Sequence, residues 1–512
     1  MAARDAFYVT SPIYYVNDSP HIGHAYTTLA CDVMARFMRL DGRRVRFLTG
    51  TDEHGQKVEK AAREAGKEPQ AFTDEVSQRF RRMVEVMGTS PDDFIRTTEE
   101  RHKRAVSALW QKLVDAGDIY LGTYAGWYSV RDEAFYAESE LVDGKAPTGA
   151  PVEWVEEPSY FFRLSAWQER LLAYYERDPQ TVMPASRRNE VVSFVKGGLT
   201  DLSVSRTSFR WGIPVPGDER HVIYVWLDAL TNYLSALGYP DTESELFTTY
   251  WPADLHMVGK DIVRFHSVYW PAFLMSAGLE PPRRVFAHGW WTNEGQKISK
   301  SLGNVIDPFE LVARYGLDQV RYFLMREVPF GQDGDFSRAA MLKRANHDLA
   351  NDYGNLVQRV LSLVQRSCEG RVPDPGTLAA EDDELLAAAH GLLPIVRAAM
   401  EEVAPHKALE AIFEVVGRAN RYVDAQAPWA LAKRDPVRLR AVLWTACETI
   451  RHVATLTLPF MPNASAKILD QLAVSEPARR FSSLGPDGAH LVPGTPLPRP
   501  EGVFPRLAEA AP

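Results

Sequence analysis

The transition from an apolar run to an amphipathic run near the N-terminus constrains the fold more than any other feature. Phe7–Thr10 is aromatic and β-branched, which is typical of a buried strand. The spacing that follows predicts a helix ending near Asp41, with one apolar face formed by Leu29, Val33, Phe37 and Leu40. His21–His24 therefore occupies a strand-to-helix turn. Such a turn offers backbone N–H groups and the positive end of the helix dipole to a polyphosphate.

A lysine-rich segment far downstream complements this turn. Lys297–Ser301 reads K-I-S-K-S and lies between Gly295 and Gly303. Two lysines three residues apart in a glycine-flanked segment indicate a mobile cationic loop rather than an element of the core. Alone, each motif also fits a polar helix start or a solvated turn.

Together, and in this order, the two motifs resemble the signature pair of the class I aminoacyl-tRNA synthetases. Thr10–Asn17 and Tyr224–Ala229 are similar, more specifically, to segments of the methionyl-tRNA synthetases. The resemblance extends from residue 6 to residue 475 or thereabouts. It implies ATP-dependent ligation of L-methionine to its cognate tRNA through a methionyl-adenylate, with release of AMP and pyrophosphate, for protein synthesis.

Length and composition agree with a multidomain globular protein. The 512 residues are too many for one hydrophobic core and predict about two to four domains. No apolar run approaches the ~18 residues of a membrane span, so we expect no membrane association. The first residues lack the apolar core of a signal peptide. The three cysteines, Cys31, Cys368 and Cys447, are widely separated, which favours a reducing, cytoplasmic location.

The periodicity predicts an α/β protein built from four parts. Strand–helix alternation over 1–115 and 226–339 predicts a Rossmann-like parallel sheet, with His221–Trp226 interpreted as one of its strands. Aromatic residues and turn signals predict a β-rich connective insertion over 116–225. Helical periodicity predicts a bundle over 340–475, with later helices over about 382–404, 407–433, 436–457 and 462–473. The Pro-rich tail, 476–512, is expected to be extended and either to pack back on the body or to fray.

The resemblance assigns catalysis to His21, His24, Lys297 and Lys300, which would neutralise charge on the reacting phosphates. The same four residues are expected to bind ATP, together with Gly23, Gly259 and Asp261. Glycine permits close approach of a ribose, and a carboxylate can accept hydrogen bonds from two ribose hydroxyls. A magnesium ion is expected with ATP, but no residue is identified as its ligand.

The methionine pocket is carried over from the family position by position. Asp52 is expected to hold the amino group, and aromatic walls suit a soft thioether. Tyr15 and His266 are expected to offer weak donors to the sulfur. From spacing alone, Trp226 and Tyr233 fit core packing equally well. The complete predicted pocket comprises Ile13, Tyr15, Asp52, Trp226, Ala229, Leu230, Tyr233, Ile262 and His266.

The insertion departs from a family pattern. Relatives often carry a zinc knuckle of paired cysteines there, but Ser129 and Asp132 occupy the first pair of positions. The second pair falls near Ala146 and Gly149, also without thiols. Structural zinc needs four Cys or His ligands, so we expect no zinc and a hairpin held by packing.

The helical half is expected to bind the anticodon. The net charge of −9 does not indicate a nucleic-acid binder, although residues 418–440 are locally basic. Asn355 and Arg359 lie one helical turn apart and resemble an anticodon-reading pair. Trp429 matches a tryptophan that stacks on an anticodon base, and its alternative is a plug in the bundle. The expected partners are initiator and elongator methionine tRNA. The missing C-terminal dimerising module suggests a monomer.

Three rival interpretations fit less well. Leucyl, isoleucyl and valyl synthetases should carry a larger insertion, and a cysteinyl enzyme should bring a thiolate-ligated zinc to its pocket. A synthetase-like RNA-binding protein without catalysis would not be expected to keep both motifs intact. A nucleotidyltransferase unrelated to tRNA leaves Asn355, Arg359 and Trp429 unexplained.

Overall fold

The structure is a computed structural model that describes residues 5–17, 19–132, 134–136, 138–298 and 303–508. The chain divides into two compact units. Unit 1 comprises Met1–Pro20, Arg46–Glu85 and Ser90–His288. Unit 2 comprises His21–Val45, Val86–Thr89 and Gly289–Pro512.

Sixteen strands and twenty α-helices occur in the described part of the chain. The strands are β1 Ala6–Tyr15, β2 Arg44–Asp52, β3 Asp93–Arg96, β4 Ile119–Ser129, β5 Ala134–Tyr136, β6 Glu153–Phe162, β7 Val182–Met183, β8 Leu202–Ser203, β9 Ser205–Arg206, β10 Pro214–Val215, β11 Asp218–Ile223, β12 Leu255–Gly259, β13 Val285–His288, β14 Trp291–Asn293, β15 Gln296–Lys297 and β16 Gly334–Phe336. The helices up to residue 326 are α1 Ile22–Leu40, α2 Gln56–Glu64, α3 Pro69–Val86, α4 Glu100–Asp115, α5 Gln168–Arg177, α6 Ala185–Lys196, α7 Val225–Leu230, α8 Asn232–Ser235, α9 Glu245–Tyr250, α10 Trp270–Ser276, α11 Pro308–Tyr315 and α12 Leu317–Arg326. The remaining helices are α13 Arg338–Lys343, α14 Asn355–Ser367, α15 Ala380–His390, α16 Leu392–Glu401, α17 Pro405–Gln426, α18 Pro428–Arg434, α19 Pro436–Thr457 and α20 Pro462–Gln471.

Unit 1 is built on a six-stranded sheet in the order β3-β2-β1-β12-β13-β7. β1 pairs in parallel with β12, with Thr10 opposite His256. β12 and β13 continue the parallel arrangement, with Gly259 opposite His288. The central strands are almost wholly buried, which explains their continuous apolar runs. The predicted parallel α/β sheet is confirmed.

The insertion contributes small antiparallel sheets to unit 1. β4 and β6 form a long hairpin-like pair in the order β5-β4-β6-β8, and β11 lies between β10 and β9. The interpretation of His221–Trp226 as a parallel strand is therefore wrong. β11 ends at Ile223, Tyr224 is the N-cap of α7, and Trp226 lies in the first turn of that helix.

Unit 2 is largely helical after residue 337, and the predicted bundle is confirmed. A π-helical segment, Arg344–Gly354, runs into α14. Two long helices expected at 382–404 and 407–433 are each broken. Gly391 separates α15 from α16, and Ala427, with a φ of 44°, separates α17 from the proline that begins α18. The left-handed residue ends the hydrogen-bonded run, and Pro428 suits the first position of a new helix.

The Pro-rich tail packs back on unit 2 instead of fraying. The Val372 amide donates to the Thr495 carbonyl, and the Gly494 amide donates to the Val372 carbonyl. Further along, the side-chain amide of Asn346 both donates to and accepts from the backbone of Leu507. Among the described residues, no helix is long and apolar enough to cross a membrane.

Candidate functional site

The predicted methionine residues all belong to unit 1 and come from four places in its chain. Ile13 and Tyr15 end β1, and Asp52 ends β2. α7 and α8 carry Trp226, Ala229, Leu230 and Tyr233. Ile262 and His266 follow β12. Five of these residues join one hydrophobic cluster: Ile13, Trp226, Leu230, Tyr233 and Ile262.

A hydrogen-bonded relay fixes the deep wall of this pocket. His266 Nδ1 lies 3.0 Å from the carbonyl oxygen of Ile262, so this nitrogen carries the proton and donates. Nε2 then accepts from the hydroxyl of Tyr233 over 2.7 Å. Burial is the main cause that lowers the pKa of His266 to about 4, so the ring is neutral. The expected donor role of His266 towards the sulfur is wrong for this geometry, because its one N–H is used by Ile262.

His256 lies behind that relay. Its Nε2 accepts from the indole N–H of Trp270 over 3.3 Å, so its Nδ1–H donates to the hydroxyl oxygen of Thr10 over 2.7 Å. The ring also stacks on Tyr233, with centroids 4.2 Å apart. Burial lowers the pKa of His256 well below its ordinary value. The pocket wall is therefore uncharged and rigidly oriented.

Trp226 and Asp52 give the pocket its aromatic and its anionic sides. The Trp226 ring stacks face to face on Phe265, with 3.5 Å between centroids and 8° between planes. Its indole N–H is buried and has no hydrogen-bond partner among the described residues. The Asp52 carboxylate is only 3% exposed. The predicted pocket thus includes aromatic rings and a buried acid, which would suit an amino acid with an apolar side chain.

A buried carboxylate that sequence reasoning did not select links the elements of this pocket. Asp228 of α7 accepts from His54 Nδ1 and from His102 Nε2, each over 2.7 Å. Burial is the largest single contribution to the pKa of Asp228 and raises it. The attraction of His54 and the hydrogen bonds from both rings together outweigh burial, so the pKa is lowered to about 2. Asp228 is therefore an anion at neutral pH.

Gly259 and Asp261 lie at the carboxyl end of β12, where ligands bind in open parallel sheets. A Cβ at position 259 would stand 2.5 Å from Oδ1 of Asp261. A side chain at 259 would therefore displace the Asp261 carboxylate from this position. The structure brings these two predicted ATP residues into contact.

The turn at His21 begins α1 in unit 2 and is capped by its own histidines. His21 Nδ1 accepts from the Gly23 amide, and His24 Nδ1 accepts from the His21 amide, each over 3.1 Å. Ile22 donates to the carbonyl of Ile306. The expectation that these amides face outward towards phosphate is wrong, since all three bond within the protein. With Nδ1 accepting, each neutral imidazole carries its proton on Nε2.

The lysine loop, Lys297–Ser301, belongs to the same unit, and Ile306 beyond it accepts the hydrogen bond from Ile22 of this turn. Lys297 is exposed in β15, which pairs with β14 so that Thr292 faces Lys297. The side-chain amide of Asn304 donates to the backbone carbonyl of Lys297. The backbone carbonyl of Asn304 accepts from the side-chain amide of Asn293. Both ends of the loop are thereby tied together. Lys300 lies outside the described residues.

The predicted anticodon residues lie on three helices of unit 2. Asn355 is exposed at the start of α14, and Arg359 follows one turn later. The Arg359 guanidinium donates to Asp424 over 2.7 Å and to Asn420 over 3.3 Å, both on α17. Trp429, on α18, is 50% exposed. An exposure this large does not fit a plug in the bundle.

Hydrogen bonds hold the hairpin around Ser129 and Asp132. The Asp132 amide donates to the Ser129 hydroxyl, and the Tyr136 hydroxyl donates to the Asp132 carboxylate over 3.1 Å. Thr148 also donates to that carboxylate. These hydrogen bonds act in addition to the packing expected to hold the hairpin. Ser129, Asp132, Ala146 and Gly149 do not supply the thiolates that structural zinc requires.

In the part of the chain that the structure describes, His347, Asp348 and Asp352 form a group within reach of one metal ion. Asp348 there is already bonded to Arg344 and Tyr322.

Comparisons with known proteins agree over the whole chain. Residues 7–153 and 147–361 match the family described as tRNA synthetases class I (M), and 372–511 match the anticodon binding domain of methionyl tRNA ligase. The methionine–tRNA ligase of Brucella suis is 58% identical over 99% of both chains. The Mycobacterium bovis enzyme is 55% identical over the same shares. The chain belongs to the methionyl-tRNA synthetases of class I.

Solved structures of the family agree with the fold. The Mycobacterium tuberculosis methionyl-tRNA synthetase in complex with methionyl-adenylate is 55% identical and has a TM-score of 0.95, covering 98% of this chain and all of that one. Its free-state structure has a TM-score of 0.90 at 52% identity, with 99% of both chains covered. As a methionyl-tRNA synthetase, this chain is a ligase that charges tRNA with methionine at the expense of ATP.

Several residues that support the site escaped the sequence analysis. They are Asp228 with His54 and His102, His256 beneath Tyr233, Asn304 at the loop base, and Asp132 in the insertion. A buried Asp or His within an apolar helix is a signal that the sequence does contain. Its partners were not recognisable, because they lie more than a hundred residues away in the chain.

Proposed function

We propose that the chain activates and transfers methionine in two steps. The methionine carboxylate attacks the α-phosphorus of ATP, forming methionyl-adenylate and expelling pyrophosphate. The methionyl group then passes to the 2′-hydroxyl of the terminal ribose of methionine tRNA, initiator or elongator, and AMP leaves. Positioning and charge stabilisation dominate such transfers, so no protein nucleophile is needed. The neutral Tyr233–His266 pair, in the same unit as the buried Asp52, is the observation that carries this proposal.

Asp52 pairs with the α-amino group of methionine in this scheme. The ammonium group of an amino acid compensates part of the desolvation cost of this buried carboxylate, which favours an amino acid as ligand. The thioether lies against Trp226 and Tyr233, because polarizable sulfur contacts aromatic rings favourably. The remaining pocket residues shape the space around the side chain: Ile13, Tyr15, Ala229, Leu230, Ile262 and His266.

The phosphates of ATP contact imidazole N–H donors and lysine ammonium groups. His21 and His24 donate from Nε2, and the missing side chain of Gly23 leaves room for His21, whose ring a Cβ at 23 would approach to 2.9 Å. Lys297 and Lys300 neutralise charge that develops as pyrophosphate leaves. Gly259 and Asp261 bind the ribose. A magnesium ion accompanies ATP, and its ligands are not assigned to this chain.

The helical bundle reads the tRNA. Asn355 and Arg359 donate to base edges of an unstacked anticodon, and exposed Trp429 stacks on one base. We assign the catalytic domain to 1–115 and 226–339, the insertion to 116–225, the anticodon-binding domain to 340–475 and the tail to 476–512. We further propose that the insertion binds no zinc, because Ser129 and Asp132 stand at the positions of the first cysteine pair. We also propose that the protein is a cytoplasmic monomer.

Amino-acid-dependent exchange between ATP and labelled pyrophosphate tests the first step. The protein is stripped of metal, resupplied with magnesium alone, and assayed with each of the twenty amino acids without tRNA. Exchange with methionine alone supports the reaction, the specificity and the zinc-free insertion. Exchange with another amino acid overturns the pocket assignment. Absence of exchange from a folded sample overturns the proposed catalysis.

A further inference from the structure

We propose that Asp228 is a positioning residue for the methionine pocket and that it acts through His54 and His102. The inference deepens the proposed function and rests on the assignment of that pocket. Asp228 itself is 1% exposed, and both of its carboxylate oxygens are used by the two imidazoles. It therefore does not touch the substrate, and any effect on activity passes through its partners.

The cluster joins elements that are remote in the chain. His54 follows the end of β2, and His102 lies in α4. Asp228 lies in α7. The second nitrogen of His102 reaches the hydroxyl of Ser235 in α8 over 3.0 Å. One carboxylate thus connects the end of a sheet strand to both short helices that carry the pocket wall.

The predicted pocket residues are placed around these attachment points. Asp52 precedes His54 by two residues, and Tyr233 precedes Ser235 by two. Trp226, Ala229 and Leu230 lie within two residues of Asp228 on the same short helix. A shift of either attachment would move the acid that binds the amino group relative to the aromatic wall that binds the side chain.

The segment that carries His54 is held on its other side as well. The Glu53 carboxylate accepts two hydrogen bonds from Arg96. The indole of Trp211 donates to the Glu53 carbonyl, and the Trp211 ring meets the His54 ring edge-on at 5.6 Å. With Glu53 fixed by Arg96, the His54–Asp228 bond connects this segment to α7.

The cluster requires a carboxylate at 228 for a simple reason of hydrogen-bond chemistry. Two ring N–H groups converge on Asp228, and a carboxylate offers two acceptor oxygens. An asparagine offers one acceptor and one NH₂ donor, so one histidine would face a donor. Charge adds to this preference, because hydrogen bonds to an ionised acceptor are stronger than neutral ones.

The direct test is Asp228→Asn in methionine-dependent ATP–pyrophosphate exchange. We expect the KM for methionine to rise about ten- to hundredfold, as for the loss of a buried hydrogen bond to a charged group, while the KM for ATP stays within about twofold. A variant that merely unfolds in part would lower the active fraction and kcat with both KM values unchanged. An unchanged KM for methionine in Asp228→Asn overturns the inference.

Conservative substitutions of the histidines provide a second test. The asparagine amide nitrogen occupies the place of Nδ1, so His54→Asn keeps the donor, whereas His54→Leu removes it. Glutamine mimics Nε2, so His102→Gln keeps the donor and His102→Leu removes it. We expect both leucine variants to raise the KM for methionine and both amide variants to restore it to within about threefold of the parent. Equal KM values in the amide and leucine variants contradict the positioning role.

The matched control is Glu448→Gln. Glu448 is an equally buried carboxylate of unit 2, with Arg451 and His490 as partners, and it has no part in the proposed pocket. It should lower thermal stability and leave the KM for methionine unchanged. Failure of the parent enzyme to exchange with methionine would refute the proposed function, whereas an active parent with an unaltered Asp228→Asn variant refutes only this inference.

Discussion

The phenol hydroxyl of Tyr233 donates to Nε2 of His266 over 2.7 Å, and this bond determines which protons the pocket can offer. The other ring nitrogen of His266 donates to Ile262, so both groups are satisfied without a ligand. With this pair satisfied, the predicted pocket would distinguish amino-acid side chains by shape and by dispersion contact with aromatic rings. Discrimination of methionine from a residue shorter by one methylene is then limited to about 1–3 kcal/mol.

Removal of the Tyr233 hydroxyl should weaken methionine binding. In Tyr233→Phe, Nε2 of His266 becomes a buried acceptor without a donor, which costs about 1–3 kcal/mol. We expect the KM for methionine to rise about tenfold in pyrophosphate exchange, with the KM for ATP unchanged. Tyr174→Phe is the control, because Tyr174 is another buried tyrosine of unit 1 that donates to a backbone carbonyl, that of Pro282. A Tyr233→Phe enzyme with the parent KM would contradict the relay.

Loss of the Lys297 ammonium should affect the transition state more than ground-state binding. Lys297 is exposed, and no pairing of its ammonium is needed to hold the loop, since Asn304 bonds its backbone carbonyl. Lys297→Ala should lower kcat of pyrophosphate exchange about a hundredfold or more and change the KM for ATP by less than about threefold. Lys112→Ala, on exposed α4 surface, serves as control. A dominant rise in the KM for ATP would instead assign Lys297 to ground-state binding.

Anticodon recognition should be separable from amino-acid activation. Trp429→Ala and Arg359→Ala should each lower kcat/KM for methionine tRNA about ten- to hundredfold, because base stacking and bidentate contacts are worth about 1–3 kcal/mol each. Pyrophosphate exchange without tRNA should be unaltered. Arg418→Ala is the control, since Arg418 is an exposed arginine of α17 whose partner is Glu414. If the Trp429→Ala and Arg359→Ala enzymes both charged methionine tRNA normally, Trp429 and Arg359 would not read the anticodon.

Much of the architecture could be predicted because its signals are local. The N-cap Asp307 and Pro308 begin α11, and Asp41 ends α1, as the cap chemistry indicates. His221–Trp226 was misassigned because an apolar run followed by Asp fits both a strand and the start of a buried helix. The break at Ala427 depends on a left-handed alanine, which no propensity favours.

The supporting shell of the site was not predictable in the same way. His54 and Asp228 are 174 residues apart in the chain, and each alone is compatible with a solvated surface position. Only the tertiary fold brings the two imidazoles to one carboxylate. The family resemblance transfers residues that touch substrate, position by position, and says nothing about the groups that hold those residues in place.

The hydrogen-bonded hairpin around Asp132 should be independent of zinc. Asp132→Ala removes the acceptor of Tyr136 and Thr148 and should lower the stability of the insertion by about 1–3 kcal/mol. We expect a lower thermal midpoint for the variant and the same midpoint for the parent with and without a zinc chelator. Elemental analysis of the purified protein provides the direct control. Stoichiometric zinc, or a thermal midpoint that drops on chelation, would contradict the prediction that hydrogen bonds hold this hairpin without zinc.

Acid should weaken the attachment of the tail to α19 through His452. Its Nδ1 donates to the Glu448 carbonyl, and its Nε2 accepts from the Gly485 amide, so the bound ring is neutral. Burial, followed by the charge of Arg451, lowers the pKa of His452 to about 4. His390 and His490 also face this cluster, and Glu448 is the acid within it.

The sign of the effect follows from proton uptake. Between pH 6.5 and 4 the unfolded chain binds a proton at this position and the folded protein does not, so stability falls as pH falls through that window. A difference of 2.5 pKa units between the unfolded and folded chains corresponds to a loss of about 3 kcal/mol in folding stability by pH 4. The stability advantage of the parent over His452→Asn, measured from thermal midpoints, should therefore shrink from pH 7 to pH 4.5. An advantage that is constant over this range would mean that His452 titrates alike in the folded and unfolded chains.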